Sequence, residues 1–295
     1  MCGIFKYILH PKKVILEIIN RLGPLLSDKL YIKIRYRLTI GKKLDLKNPK
    51  TFNAKLQWLK LHDRNPGYTT MVDKYLVKNY VANIIGEEYI IPTLGVWNSA
   101  EEIDFDTLPN QFVLKCNHNS GLGMCVCKDK SKLNIPAVKQ SLNEGMRQNF
   151  YLYGREWPYK NVKRKIIAEK YIEGSDGKPL VDYKLMCFNG KVKCSFTCTE
   201  RETDLKVTFF DNNWQRLPFE RHYPASKIEI PKPVNFNKMK ELAEVLAKNT
   251  RFLRVDFYEI DQKIYFGELT LYPGCGYEEF TPEKWDGILG DWIQL

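Results

Sequence analysis

Apolar residues in the first part of the chain recur at the spacing of one helical face. Pro11 is tolerated in a first helical turn, and the apolar positions after it share a face up to residue 23: Val14, Ile15, Ile18, Ile19 and Leu22. Residues 28–38 fit a second helix, although the alternation over residues 32–40 also fits a strand, and we favour the helix. Further helices are predicted over residues 51–62, 73–85, 136–149 and 238–248.

Short apolar runs predict the strands. They cover residues 89–97, 112–116, 124–128, 166–172, 184–188, 191–197, 254–260 and 263–269. Asn189-Gly190 is typical of a two-residue hairpin turn, and Asp261-Gln262 joins the last two strands. Helices followed by mixed strands and then by antiparallel hairpins indicate an α+β protein with several lobes.

Composition narrows the class of protein. With 44% hydrophobic and 27% charged residues among 295, the chain is typical of a globular protein rather than a disordered or collagen-like one. No apolar run reaches the length of a membrane-spanning helix, and no signal-peptide pattern is present. The eight Cys form no C-x-x-C pair, which favours reduced thiols in a cytoplasmic protein over a zinc site.

The net charge of +11 lies mostly in residues 1–50, and the rest of the chain is nearly neutral. This distribution argues against a nucleic-acid partner, which needs a basic face on the folded body. Two interpretations of residues 1–50 stay open. The segment contacts an anionic inner membrane as a basic amphipathic surface, or it packs on the body with its Lys and Arg side chains in solvent.

The strongest candidate for chemistry lies near the C-terminus. On a strand, Arg254 and Asp256 point to the same face, and Glu268 lies on the neighbouring strand of the hairpin. Two carboxylates beside a cation suit Mg²⁺ that carries ATP phosphates. A salt-bridge ladder on a surface hairpin is the alternative interpretation.

Three further segments offer groups that a nucleotide needs. Lys115 ends a strand and precedes a Gly-containing loop, whose amides suit phosphate oxygens, although such turns are common. Residues 166–174 are predicted to form an apolar strand that ends in E-K-Y-I-E-G. This ending suits the binding of a purine and a ribose, and the alternative interpretation is an ordinary charged turn. Asp182-Tyr183-Lys184 and Arg201 could face phosphates or an acidic substrate, or be ordinary polar positions of strands.

Taken in order, these motifs resemble the ATP-grasp superfamily. The run R-V-D-F, E-L-T and P-G within residues 254–274 is similar to the C-terminal motif of D-alanine–D-alanine ligases. More closely, the chain resembles the TupA-like ATP-grasp family of bacterial surface-polysaccharide biosynthesis, whose members are often labelled glycosyltransferases. The motifs that carry this resemblance lie at residues 52–58, 72–75, 108–116, 154–159, 167–171, 182–184 and 188–191.

The resemblance implies a role for each matching residue. Nucleotide contacts would come from Lys74, Lys115, the loop residues Asn119, Ser120, Gly121 and Gly123, and the segment Glu169, Lys170, Tyr171, Ile172 and Glu173. Within that segment, Glu169 and Tyr171 would flank the adenine and Glu173 would hold the ribose. The catalytic residues would be Arg254, Lys184 and Arg201.

Mg²⁺ would be bound by Asp256 and Glu268, with Thr270 beside them. Thr270 departs from the superfamily, which usually has Asn at this position. A hydroxyl is a weaker ligand than an amide carbonyl, so the resemblance leaves the number of metal ions open.

The implied activity is that of an ATP-dependent carboxylate–amine ligase that uses ATP and Mg²⁺ and forms an acyl phosphate. Its substrates would be a uronic acid of a surface glycan and an amino acid or amino alcohol. A nucleotide-sugar glycosyltransferase, which would need a D-x-D motif such as Asp104-Phe105-Asp106, is one alternative. An ATP-grasp kinase and a membrane-docked scaffold without activity are the others.

The expected architecture is an α+β ATP-grasp fold, with the nucleotide between a small lid lobe and a larger antiparallel-sheet lobe. A helical basic N-terminal segment would precede them. The expected location is cytoplasmic, with peripheral contact at the inner membrane as the open alternative. The predicted boundaries are 1–50 for the basic segment, 51–98 for an N-terminal lobe, 99–165 for the lid lobe and 166–295 for the lobe with the metal site.

Overall fold

The computed structural model describes residues 11–174, 180–200 and 203–295, with the backbone alone for residues 11–13. Its N-terminal part is helical, as the apolar spacing predicts. The helices before the first strand are α1 (Pro11–Leu22), α2 (Asp28–Ile40), α3 (Phe52–His62), α4 (Tyr68–Val72) and α5 (Leu76–Ile85). Among the described residues, no helix has the length and apolar character that a membrane crossing requires.

Residues 28–40 form the helix α2 rather than a strand, which confirms the favoured alternative. The Ser27 hydroxyl accepts a hydrogen bond from the Leu30 amide (3.4 Å), and Gly41 ends the helix in a left-handed conformation. Tyr31, Ile32 and Tyr36 on one face are buried against the body, whereas the basic side chains of the other face are in solvent. The second interpretation of the basic segment therefore describes α2.

The first sheet has four antiparallel strands in the order β1-β4-β2-β3. They are β1 (Thr93–Trp97), β2 (Phe112–Cys116), β3 (Met124–Cys127) and β4 (Ile166–Lys170). Helix α6 (Ile135–Arg147) covers the sheet, and its buried Leu142 joins the apolar side chains of β2 and β4 in one cluster. The short helix α7 (Phe150–Gly154) follows α6.

The second sheet has five antiparallel strands in the order β10-β9-β5-β6-β7. They are β5 (Asp182–Phe188), β6 (Lys191–Thr199), β7 (Lys206–Phe210), β9 (Phe252–Ile260) and β10 (Lys263–Thr270). Two short strands, β8 (Glu220–Arg221) and β11 (Phe280–Thr281), pair separately. Helix α8 (Phe236–Leu246), helix α3 and the C-terminal helix α9 (Lys284–Asp291) complete the main core around the buried apolar residues of β5 and β9.

Several predicted boundaries are wrong by a few residues. The helix predicted from residue 73 begins at Leu76, because the Asp73 carboxylate accepts hydrogen bonds from the Tyr75 and Leu76 amides and stays outside the helix. The strand predicted over residues 89–97 begins at Thr93, and β4 ends at Lys170 rather than at residue 172. The prediction did not include α4, α7, β7 or α9, which are five to eight residues long.

Helix α9 packs on the start of α3 through a glycine. A Cβ on Gly290 would lie 2.2 Å from the Lys50 carbonyl oxygen and 2.8 Å from the Phe52 amide nitrogen. Nearby, the Asp286 carboxylate accepts a hydrogen bond from the Asn53 amide (2.9 Å). The N-terminus of α3 therefore depends on the absence of a side chain at position 290.

We expect Gly290→Ala to lower the free energy of unfolding by about 1–3 kcal/mol, because the added methyl group must displace backbone. The matched control is Gly287→Ala in the same helix, where a Cβ meets nothing within 4 Å. That control should be neutral or stabilising by up to about 1 kcal/mol, since alanine favours a helix over glycine. Urea unfolding of both variants measures the difference, and equal stabilities would contradict the close packing.

Candidate functional site

The central charged cluster lies on three neighbouring strands of the five-stranded sheet. Arg254 donates from Nε to Asp256 Oδ1 (2.7 Å), and its Nη2 donates to Asp256 Oδ2 (2.7 Å) and Glu268 Oε1 (2.5 Å). Lys184 on β5 also donates to Asp256 Oδ2, and its Nζ lies 3.2 Å from Asp182. The guanidinium therefore holds two carboxylates of adjacent strands together, of which strand periodicity predicts only Asp256 on the face of Arg254.

A β-bulge brings Glu268 to this face. Phe266 pairs with Phe257, yet Glu268 pairs with Asp256, so Gly267 is the extra residue of β10. Without it, the period of two would place Glu268 on the opposite face from Asp256. A Cβ at Gly267 would lie 3.1 Å from the Asp256 carbonyl oxygen, so a glycine suits the close approach of the two strands.

The electrostatics keep Glu268 ionised. Burial alone would raise its pKa, but Arg254, Lys184 and Lys74 together outweigh burial and lower the pKa of Glu268 to about 2. The Glu268 side chain keeps 42% of its exposure, whereas that of Asp256 keeps 1%. Glu268 is thus the carboxylate of the pair that a ligand can reach.

A second charged group lies on the four-stranded sheet. Glu169 on β4 forms two ion pairs. Its Oε2 lies 2.5 Å from Nζ of Lys115 on β2, and its Oε1 lies 2.6 Å from Nζ of Lys78 on α5. Lys78 also donates to the Ile91 carbonyl oxygen (2.7 Å). Burial raises the pKa of Glu169, but the two lysines lower it by more, so the pKa of Glu169 lies below its ordinary value.

The loop after β2 is held in place by its first residue. Asn117 is fully buried, donates to Asp73 Oδ1 (2.8 Å) and the Lys163 carbonyl oxygen (2.9 Å), and accepts from the Lys165 amide (2.8 Å). Its carbonyl oxygen accepts from the Lys74 amide (3.0 Å). This asparagine fixes both the loop and the segment that carries Lys74.

The predicted phosphate-loop residues differ in what they contact. The side chain of Asn119 is buried and donates to the Gly145 carbonyl oxygen (3.2 Å) on α6. Gly123 packs on the same helix, because a Cβ there would lie 3.0 Å from the Gly145 Cα. Ser120 and Gly121 are exposed at the tip of the loop, and Gly121 has a φ of +81° with open space around it. The tip is the part of the loop free to meet a ligand.

Lys74 connects the two charged groups. It follows α4, which lies against β10, and its Nζ donates to the Asn119 carbonyl oxygen. Burial lowers the pKa of Lys74, while Glu268 raises it and Lys115 lowers it further. The lysine therefore lies within electrostatic reach of Glu268 on one sheet and Lys115 on the other.

The remaining predicted residues surround this region less closely. Lys170 ends β4, and Tyr171, Ile172 and Glu173 follow it, with Glu173 exposed. The Thr270 hydroxyl donates to Glu268 Oε1 (3.4 Å). Arg201, the third predicted catalytic residue, lies outside the described residues.

Sequence reasoning missed several residues of the site. Lys78 received no role, although a lysine beside the apolar residues of an amphipathic helix was a detectable signal, and the anchoring role of Asn117 was not predicted. The carboxylate of Glu156 is buried and the Tyr159 ring packs against Phe150, with 4.7 Å between the ring centroids. Both interact electrostatically with Arg254. They belong to the motif at residues 154–159, for which no role was predicted.

The donor set suits Mg²⁺ only together with a phosphate. In the described part of the chain, no cluster of three or more His, Cys, Asp or Glu could hold a metal ion. Asp256, Glu268 and the Thr270 hydroxyl offer hard oxygen atoms, which Mg²⁺ accepts alongside substrate phosphates and water. Because the Arg254 and Lys184 cations already neutralise Asp256, Glu268 is the carboxylate better placed to contribute.

The chain is similar to one family of known proteins over most of its length. The profile described as TupA-like ATPgrasp matches residues 54–294. No curated protein matches the chain significantly. The family match confirms the expected resemblance and the expected α+β ATP-grasp fold class.

Solved ATP-grasp ligases are similar to the chain at low sequence identity. D-alanine–D-alanine ligase from Bacillus anthracis, complexed with ATP, is 19% identical over 68% of this chain and 54% of its own, with a TM-score of 0.40. The ligase PsnB with a minimal precursor is 13% identical over 74% of this chain and 60% of its own, with a TM-score of 0.42. A RimK-domain ATP-grasp protein from Sphaerobacter thermophilus is 11% identical over 78% of this chain and 70% of its own, with a TM-score of 0.43. The chain thus spans little more than half of the first of these ligases.

We expect Glu169→Gln to lower the free energy of unfolding at neutral pH by about 3–5 kcal/mol, because it leaves the buried Lys78 and the partly buried Lys115 without their carboxylate. The pKa of Glu169 is lowered on folding, so its stabilisation is present above the ordinary value of 4.5 and is lost as the pH falls through the folded-state pKa. The difference between wild type and variant should therefore shrink at acidic pH.

Chemical unfolding between neutral and acidic pH measures this difference. The control is Glu173→Gln, an exposed position four residues further along, which should change stability by less than about 0.5 kcal/mol. A constant difference at all pH values would show that the Glu169 ion pairs are not its source.

Proposed function

The chain belongs to the TupA-like ATP-grasp family, and from this membership we propose that it is an ATP-dependent carboxylate–amine ligase that uses Mg-ATP. One observation carries the proposal. Arg254 bridges Asp256 and Glu268 on one sheet, and Lys74 lies within electrostatic reach of both Glu268 and Lys115 of the other sheet. Cations and ionised carboxylates on both sides of one region are what a nucleotide triphosphate with its metal ion needs.

We propose that the nucleotide lies between the two sheets, with the lobes divided as the sequence predicts. Lys115, Lys74 and the exposed loop amides of Ser120 and Gly121 would bind phosphate oxygens. Residues 169–173 would line the base and ribose. Mg²⁺, held by Glu268 and Asp256, would neutralise charge on the phosphates.

The reaction then follows from the arrangement of charges. A carboxylate oxygen of the substrate attacks the γ-phosphorus, the bond to the β-phosphate oxygen breaks, and an acyl phosphate and ADP form. A neutral amine then attacks the acyl carbon, the C–N bond forms, phosphate leaves with the electrons of the broken C–O bond, and the nitrogen gives up a proton to water. Arg254 and Lys184 would stabilise the charge that develops on the oxygens.

The substrate proposal rests on the family. We propose that the carboxylate belongs to a uronic acid of a bacterial surface glycan and that the amine is an amino acid or amino alcohol. For the glycosyltransferase alternative, Asp104 and Asp106 would have to bind a metal ion together. Both are exposed, and Asp104 accepts a hydrogen bond from the Asp106 amide (3.0 Å) in a short turn. This geometry favours a local turn over a metal site.

We expect ADP release from Mg-ATP to require both a uronic acid and an amine. Glu268→Ala should reduce the rate by about 10²–10³, the usual cost of removing one group that stabilises transition-state charge. Glu241→Ala on the exposed face of α8 is the matched control and should keep the wild-type rate. A coupled assay of ADP and phosphate measures all three proteins.

Each other outcome decides between the alternatives. ADP release with a hydroxyl acceptor and no free phosphate would favour the kinase. Absence of Mg-ATP binding would contradict the ligase proposal, and turnover of a nucleotide sugar by the same protein would support the glycosyltransferase.

We also propose that the basic segment contacts an anionic membrane. Ile15, Ile18 and Leu22 form a stripe along α1 and are 44%, 50% and 47% exposed, and Leu25 in the following turn is 83% exposed. The side chains of Lys33, Arg37 and Lys43 line a surface groove beside Leu44. Exposed apolar groups and exposed cations within one N-terminal segment suit the surface of a bilayer with anionic headgroups.

We expect the wild-type protein to co-sediment with vesicles that contain phosphatidylglycerol. The double variant Ile18→Asn with Leu22→Asn should bind at least about tenfold more weakly, because two apolar side chains no longer enter the bilayer. The control is Leu76→Asn with Ile84→Asn on α5, which are similarly exposed at 44% and 39%. Equal binding of the two double variants to the vesicles would contradict a membrane contact through α1.

A further inference from the structure

The segment Gly154–Tyr159 is anchored from several sides although it is not part of a long helix. Lys60 of α3 is fully buried, and its Nζ donates to the Gly154 carbonyl oxygen (2.8 Å) and the Cys275 carbonyl oxygen (2.6 Å). Trp157 Nε1 donates to the Asp63 carbonyl oxygen (3.1 Å). One lysine therefore holds this segment against the turn Pro273–Gly276, which follows β10 after two residues.

This position places the segment beside the charged cluster. Glu268 and Thr270 lie near the end of the strand that leads into the turn. The Tyr159 phenol interacts electrostatically with Glu268 and Arg254, and the Glu156 carboxyl interacts with Arg254. Because the segment packs against the turn that follows β10, it would form one wall of the region where the acyl group is transferred.

Glu156 differs from the other buried carboxylates of the region. Glu169 has two lysines as partners, and Asp256 has Arg254 and Lys184. In the described residues, by contrast, no Lys or Arg nitrogen lies within 4.0 Å of Glu156, which is 5% exposed. The nearby Lys60 uses its hydrogen bonds on carbonyl and amide oxygens, with Gln57 Oε1 at 3.0 Å as the third.

A buried carboxylate without a close cation is costly, and such groups mark binding sites. Burial raises the pKa of Glu156 against the opposing effects of Lys60, Cys275, Arg35 and Arg254. Tyr159 and Cys275 beside it are only partly buried, so solvent reaches the surface next to Glu156. A cationic group of a ligand would supply the missing charge.

We propose that Glu156, flanked by Tyr159, is the subsite that binds the ammonium group of the amine substrate. This inference rests on the proposed ligase function and names the residue that receives its second substrate. The carboxylate is the counter-ion, and the aromatic ring of Tyr159 offers a face for cation–π contact. Glu156 thereby holds the nitrogen near the acyl carbon without taking part in activation of the carboxylate, and the ammonium group loses a proton to water before its nitrogen attacks.

The first test measures binding and stability without turnover. Glu156→Gln should leave the thermal unfolding midpoint of the full chain unchanged or higher, because it removes an uncompensated buried charge. Ethanolamine at a saturating concentration should raise the midpoint of the wild type and not that of the variant, with equal sodium chloride as the ionic control. Glu144→Gln, an exposed position on α6, should respond to ethanolamine as the wild type does.

The second test separates amine binding from carboxylate activation. Hydroxylamine is a neutral nucleophile at physiological pH, so its trapping of the acyl phosphate as a hydroxamate does not need an ammonium subsite. Glu156→Gln should raise the KM for ethanolamine at least about tenfold, which corresponds to the loss of one charged contact. Hydroxamate formation from glucuronate should stay at the wild-type rate, and Glu156→Asp should restore part of the affinity for ethanolamine.

Three results would overturn the subsite. A large fall in the unfolding midpoint of Glu156→Gln would show that Lys60 or Arg35 already compensates the charge and that the role is structural. An unchanged response to ethanolamine in the variant would place the amine elsewhere, and equal losses of amide and hydroxamate would place Glu156 in carboxylate activation. Absence of ADP and hydroxamate with the wild type would instead contradict the ligase proposal, and the thermal response to ethanolamine would still decide the subsite.

Discussion

The fork of Arg254 between Asp256 and Glu268 is the interaction on which the candidate site depends. It joins β9 and β10 across the bulge at Gly267, so the geometry of the sheet and the charge of the site are fixed together. Because the guanidinium, Asp256 and Lys184 are all buried, removal of one charge would leave the others uncompensated. The same requirement for charge balance explains why Lys115 on the other sheet is paired with Glu169.

These pairs determine what a polyanionic ligand must do. Three of the cations that would meet phosphate oxygens, Lys115, Lys184 and Arg254, are bound to carboxylates. A phosphate can replace a carboxylate as partner only if the carboxylate gains another cation, and a divalent metal ion supplies it. Glu268, which is ionised and partly exposed, can make this exchange, whereas Asp256 is enclosed by Arg254 and Lys184. Thr270 adds a hydroxyl that donates to Glu268, so it is better suited to orient that carboxylate than to replace a strong ligand.

The sequence was sufficient for the parts of the site that follow from strand periodicity. Arg254 and Asp256 share a face because they are two residues apart. The antiparallel pairing of β5 and β6 confirms the hairpin predicted at Asn189-Gly190. It was insufficient where a contact depends on the tertiary structure. Glu268 reaches Asp256 only through a bulge, which a single glycine signals weakly, and Glu169 finds Lys78 on a helix that lies far away in the sequence. The role of Asn117 comes from three segments that meet at one buried amide.

The segment Gly154–Tyr159 also connects the site with the basic N-terminal part of the chain. Arg155 donates to the Gly23 carbonyl oxygen and stacks on Tyr31, with its guanidinium carbon 4.4 Å from the ring centre, and Tyr151 donates to Asp28 (2.5 Å). The junction of α1 and α2 is therefore packed on the segment that bears Glu156. The two interpretations of the basic residues do not exclude each other, because packing buries one face of these helices, with Arg35 on it, and leaves the apolar stripe of α1 and Lys29, Lys33 and Arg37 of α2 exposed. A surface bound through that free face would be held at a fixed distance from the wall of the reaction site, since the junction between them is made of buried side chains and hydrogen bonds.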